Sequence, residues 1–162
     1  MAAPDIVMYE EEYNQINQII SKLRIDANAK VVFLVDKNGQ QIAAKGDLEK
    51  VDATSLASLT AGNVAATDGL AKLIGEKEFS ILFHEGERDN IHISIVGQRL
   101  ILVVIFDERS SLGLVRLRVR KAAADLEEIL NQMASKAANE GAVATSPFAE
   151  ITDDDIDKLF SE

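Results

Sequence analysis

Leu100 to Phe106 reads LILVVIF, seven consecutive apolar residues. The run falls far short of the roughly 20 residues that span a bilayer. It has no polar alternation, so it is not a strand with one wet face. A short, unbroken, β-branched-rich run is a strand buried on both sides. It therefore belongs at the centre of a sheet with further layers above and below.

The rest of the chain supplies those layers. Tyr9, Tyr13, Ile16, Ile20 and Leu23 recur with helical period, which predicts a helix from Met8 to about Ala27. KVVFLVD, Lys30 to Asp36, reads as a strand. Asn38-Gly39 then marks a hairpin in which both turn residues tolerate positive φ, and Gln40 to Lys45 returns as a second strand. A long second helix follows, with Asp52 as its N-cap and Gly75 just past its end. Further strands are expected at Phe79–His84, Ile91–Val96 and Arg99–Phe106, with Gly97 opening a tight turn. Ile91, Ile93 and Ile95 alternate with polar residues, so that strand is expected to keep one wet face. The last helix runs from about Ser111 to Ala137. Its stripe of Leu112, Val115, Val119, Ala122, Leu126, Ile129 and Met133 reads as a docking face for the sheet. Short links between strands favour antiparallel pairing. The expected fold is α+β, a five-stranded antiparallel sheet with helices on both faces in the order α-β-β-α-β-β-β-α.

Several kinds of chemistry are missing. With no cysteine there is no disulfide, thiolate ligand or thiol nucleophile. Neither phosphate-binding glycine motif is present. His84 and His92, the only histidines, read as ordinary strand positions without further metal ligands. DDDID, Asp153 to Asp157, lacks the glycine and distal glutamate of a calcium loop. Ser110 and Ser111 have no evident base partner. Arg109, Arg116, Arg118, Arg120 and Lys121 cluster around the start of the last helix, and solvated charge is preferred there to an arginine finger. Net charge is −10, which disfavours nucleic acid and anionic membrane. The N-terminus lacks a signal-peptide pattern, so a cytoplasmic location is expected. The chain reads as a binding module that needs no cofactor or metal, and not as an enzyme.

The second helix carries the sharpest signal. Gly62, Ala65, Ala66 and Gly69 lie three and four residues apart and share a side. Each glycine costs about 1 kcal/mol against alanine within a helix. Either another molecule's backbone comes close there, or the face packs tightly within this fold.

The stretches DANAKVVFLVDKNGQ, TSLASLTAGNVAA, GLAKLIGE, FHEG, LVVIFD and SSLGLVRLR resemble the MglB-like bacterial polarity regulators of the roadblock, or dynein light chain, family. The likeness runs from about Val7 to the final residues. It implies a homodimer that activates GTP hydrolysis by a Ras-like small GTPase of the MglA type, in cell polarity and motility. It implies one GTPase per dimer and no inserted arginine; the GTPase's own catalytic residues are repositioned. Gly62, Ala65, Ala66 and Gly69 become the GTPase interface, with Ala65 and Gly69 on the contacting face. Thr67-Asp68 departs from the family's more apolar pair and adds a charge near that contact. Enrichment at a cell pole is also implied. The alternative is a roadblock scaffold that recruits partners without activating hydrolysis; a small-ligand sensor ranks below both.

Residues 1–137 read as the roadblock domain, 138–147 as a small-residue linker and 148–162 as an acidic amphipathic segment. From Ala138 onward there are seven acids and one base, −6 in all, leaving −4 for the body. Thr152 reads as an N-cap, Ile151 and Ile156 as a hydrophobic staple, and Asp153 to Asp155 as first-turn acids that suit the helix dipole. So short a helix is marginal alone in water. The family resemblance implies that Phe148, Ile151, Ile156, Leu159 and Phe160 touch a second GTPase surface, with promotion of nucleotide exchange as a candidate role. Folding back on its own dimer is the alternative for this segment.

Overall fold

A computed structural model describes residues 8–144 of the chain, and side chains for residues 8–139. Its elements are α1 (Glu10–Asp26), β1 (Val31–Asp36), β2 (Gln41–Gly46), a 3-10 turn (Leu48–Lys50), α2 (Ala53–Leu73), β3 (Ile81–Glu85), β4 (Asn90–Val96), β5 (Leu100–Phe106) and α3 (Leu112–Ala144). The expected order holds. All five strands form one antiparallel sheet in the order β2-β1-β5-β4-β3. β5 is the middle strand, and all seven of its residues are buried.

Two cores follow from the alternation of side chains across the sheet. On one face Val32, Leu34, Leu100, Leu102, Val104 and Phe106 pack against α1 and α3. The α3 stripe docks as its spacing predicts, with Val115, Val119, Ala122, Leu126, Ile129 and Met133 buried. On the other face Val31, Phe33, Val35, Ile101, Val103 and Ile105 meet Ala57, Ala61 and Val64 of α2.

The β1–β2 hairpin forms, but not with both turn residues at positive φ. Gly39 alone is there, at +90°. The Asp36 carboxylate accepts from the N–H groups of Asn38 and Gln40, both at 2.9 Å. That bridging makes a short loop whose glycine ends the turn. At the β4–β5 hairpin Gly97 and Gln98 both take positive φ. α2 begins and ends as read. Asp52 accepts from the Ser55 N–H at 3.1 Å. Gly75 at φ +83° lets Glu76 and Gly75 donate to the carbonyls of Ala71 and Lys72, closing the last turn.

Three expectations are corrected. Tyr9 and Tyr13 are exposed, and Glu12 occupies the inward position on α1 at 2% exposure. Three or four residues before Ile16 lie Tyr13 and Glu12, and helical period alone favours neither. Lys136 of α3 decides between them by donating to Glu12 Oε1 at 2.7 Å. This bond holds the Glu12 carboxyl below the usual carboxylate range and raises Lys136. Second, β4 has no wet face. His92 and Ser94, the polar positions between the isoleucines, are buried because they point toward the α3 side of the sheet. Third, α3 continues past Ala137 to Ala144, into the segment read as a linker. The alanines of that stretch are the strongest helix formers, and they outweigh the single Gly141.

Candidate functional site

α2 buries one stripe, Ala57, Thr60, Ala61, Val64 and Ala71. Its opposite side is as apolar as the buried one. Leu59, Gly62, Ala66, Leu70 and Leu73 follow at steps of three and four, all exposed, with Ala65 and Gly69 beside them. Leu59 is 72% exposed and Leu73 83%, and Ile74 extends the patch past the helix end. A Cβ added to Gly62 or Gly69 would meet nothing within 4 Å. Packing among the described residues therefore does not account for either glycine. What remains among the described residues is a shallow saddle of small residues between leucine shoulders, open to solvent, the kind of exposed apolar patch that marks an interaction surface.

The flank of α2 touches the sheet edge. β3 is an edge strand, paired only with β4; its exposed Ile81 stands opposite Ser94 and so projects from the α3 face of the sheet, the face away from α2. Asn63 Nδ2 lies 2.9 Å from His84 Nε2 and ties the middle of α2 to β3. Thr67 and Asp68 sit on the flank of α2, half-buried. Thr67 Oγ1 donates to the Val64 carbonyl at 3.0 Å, and one Asp68 carboxylate oxygen is buried without a hydrogen bond. The Asp68 charge thus lies beside the saddle and not at its centre.

The two histidines cannot share a ligand. His92 pairs across the strand with Phe83, and His84 with Ile91, so the imidazoles project from opposite faces of the sheet. His92 is 1% exposed, and neither ring nitrogen has a partner. Burial and the nearby Arg116 push its pKa below the ordinary value. Among the described residues, no group of three or more His, Asp or Glu side chains stands close enough to hold a metal ion. No described helix is long and apolar enough to cross a membrane. A cleft of about 710 Å³ runs past Lys30, Asp47, Glu49, Lys50 and Asp89 over an apolar floor of Val31, Ile91 and Ile105. Charges of both signs line it, and Lys30 and Asp89 pair at 3.1 Å. Phe148, Ile151, Ile156, Leu159 and Phe160 lie outside the described residues.

The leucines and isoleucines of the patch are absent from the sequence reading. A signal existed. The apolar residues of α2 do not collapse onto one stripe, and a helix apolar on two sides has two partners.

The model of the Roadblock/LC7 domain matches residues 16–106, from the middle of α1 to the end of β5. The chain belongs to the Roadblock/LC7 family. Among solved structures this roadblock chain is similar to Myxococcus xanthus MglB, at 61% identity and TM-score 0.75, over 78% of this chain and 96% of that one. It is similar to the gliding protein MglB of Thermus thermophilus, at 33% identity and TM-score 0.75, over 81% and 99%. An MglB in a tetrameric arrangement matches at 32% identity and TM-score 0.75, over 82% and 99%. Comparison with curated proteins yields no match. These likenesses make the chain an MglB-like roadblock protein.

Proposed function

We propose that this roadblock protein is a homodimeric regulator of a Ras-like small GTPase of the MglA type, acting in gliding motility and cell polarity. The likeness to MglB proteins, one of them titled a gliding protein, supports the setting. One observation carries the site: two glycines inside α2 with open space where each side chain would stand, flanked by exposed leucines. The open backbone edge of β3 serves the two-fold contact between protomers. The small residues Gly62, Ala65, Ala66 and Gly69 receive the GTPase, whose backbone can approach them closely. The regulator adds no catalytic side chain. It holds the GTPase's own residues in the hydrolytic arrangement, a positioning effect. The acidic segment from Phe148 makes a second contact through Ile151, Ile156, Leu159 and Phe160 and favours nucleotide exchange.

The experiment is GTP turnover by the cognate GTPase with and without this protein. Ala65→Arg with Gly69→Arg puts two long cations on the saddle, on the side of α2 that faces away from its own core. Dimer mass and circular dichroism should be unchanged, while GTPase binding and activation are lost. Full activation by this double variant removes the saddle assignment. Loss of the dimer instead makes the saddle a self-association surface. Binding without any change in turnover leaves a recruiting scaffold.

A further inference from the structure

Across β1, β5 and β4, Val31, Ile105 and Ile91 stand in one lateral row on the α2 face of the sheet. At about 4.8 Å between strands the row is about 10 Å long. It floors the cleft of about 710 Å³, which the GTPase reading leaves unused. Leu48 and Val51 of the 3-10 turn form an apolar wall beside it. Bonds within the chain fix the walls. The Asp47 N–H donates to the Lys30 carbonyl at 3.1 Å, and the Val51 N–H donates to the Leu48 carbonyl at 3.2 Å. Lys30 Nζ bridges to Asp89 at 3.1 Å. Gly46 permits the close approach of β2 to Lys30, because its φ is +121° and a Cβ there would collide with the Lys30 carbonyl. A preformed cleft of this size with an apolar floor is built like a small-molecule site.

The rim selects the charge of the ligand. Lys30 and Asp89 neutralise each other, and Asp47 stands 3.9 Å from Arg24. Glu49 and Lys50 are exposed, and neither side chain has an ion pair or hydrogen bond among the described residues. The rim therefore offers one free carboxylate and one free ammonium, side by side on the 3-10 turn. A ligand with a single charge meets one attractive and one repulsive partner there. A ligand carrying both charges is matched by both. We propose that the cleft binds a small zwitterion with an apolar body, of the class of a short peptide built from branched or aromatic residues.

The apolar side chains of such a ligand lie on the Val31–Ile105–Ile91 row. Its carboxylate turns to Lys50 and its ammonium to Glu49. Exposed charges are individually weak and screened by salt, so the floor supplies affinity and the two charges supply selection. The cleft takes no residue of the α2 saddle. The proposal therefore goes beyond the GTPase reading and does not rest on it.

The test uses the full chain and the dipeptide phenylalanyl-leucine, followed by amide chemical shifts and calorimetry at low salt. Titration should give saturable shifts at Lys30, Gly46 to Val51, Asp89 to Ile91 and Ile105. Acetylating the dipeptide's amino group, or amidating its carboxylate, should each weaken binding about threefold. Lys50→Ala should weaken the free dipeptide by a similar factor and leave binding of the amidated one unchanged. Glu49→Ala should do the same for the free and the acetylated forms. Both residues are exposed, so circular dichroism and melting temperature should not move. Glycyl-glycine, which has both charges and no apolar body, should not bind. Absence of saturable shifts up to the solubility limit of phenylalanyl-leucine overturns the proposal, as do saturable shifts confined to another part of the molecule. A doubly capped dipeptide that binds as tightly as the free one makes the site purely apolar and overturns the zwitterion assignment. Equal binding of glycyl-glycine removes the role of the floor and overturns it as well.

Discussion

Gly62 and Gly69 weaken the free protein for a reason that lies outside it. Neither φ is positive and neither position is crowded, so alanine fits both. Gly62→Ala and Gly69→Ala should each stabilise the isolated protein by about 1 kcal/mol, read as a higher melting temperature. The same substitutions should weaken GTPase binding, because a methyl group then holds the partner's backbone away. A variant that melts higher and binds as before shows that no close approach occurs there. His92 behaves in the opposite sense, as a residue whose constraint is internal. Burial and Arg116 keep its pKa low in the folded state, while Phe83 of β3 and Val104 of β5 offer the ring no acceptor. In the unfolded chain it takes up a proton near pH 6.5. The unfolded state then binds more protons, so stability is full above that pH and declines as pH falls through and below it. His92→Leu should flatten this decline between about pH 7 and pH 5.5 in thermal melts. An unaltered slope would place the acid sensitivity elsewhere.

At the scale of elements, Asn63 of α2 touches His84 of the edge strand β3, whose exposed Ile81 projects from the other face of the sheet. An edge strand with an exposed isoleucine invites pairing, and lysine is the usual means of blocking it. Ile81→Lys should convert the proposed dimer to monomer in light scattering at micromolar concentration while leaving the sheet signal intact. A variant that remains dimeric puts the two-fold contact elsewhere. The strands, the caps of α2 and the docking stripe of α3 were legible in the sequence because each rests on a local rule. Asp52 reaches Ser55, Gly75 ends a helix, and Val115 to Met133 repeat every three or four residues. What was illegible depended on a neighbour distant in the chain. Glu12 turns inward because Lys136 waits 124 residues later, and His92 is buried because α3 crosses over β4. The small-residue face of α2 could be seen in the sequence, but its leucine shoulders could not be told from core residues until the core was known.

Taken whole, the molecule is two apolar layers separated by a sheet whose middle strand comes last among the strands. β5 closes β1 on one side and β4 on the other, so neither half of the sheet has its interior edge sealed before Leu100 is made. Between the end of β1 at Asp36 and the start of β5 at Leu100 lie 63 residues. A ribosome adding about 5–20 residues each second needs roughly 3–13 s to cross that gap. For those seconds VVFLV stands on the nascent chain with β2 on one flank and nothing on the other, an apolar strand edge open to any other chain. The burden of making this protein therefore falls before its last strand leaves the ribosome. A nascent-chain chaperone that covers Val31 to Val35 during that interval should raise soluble yield more than one acting on the finished polypeptide.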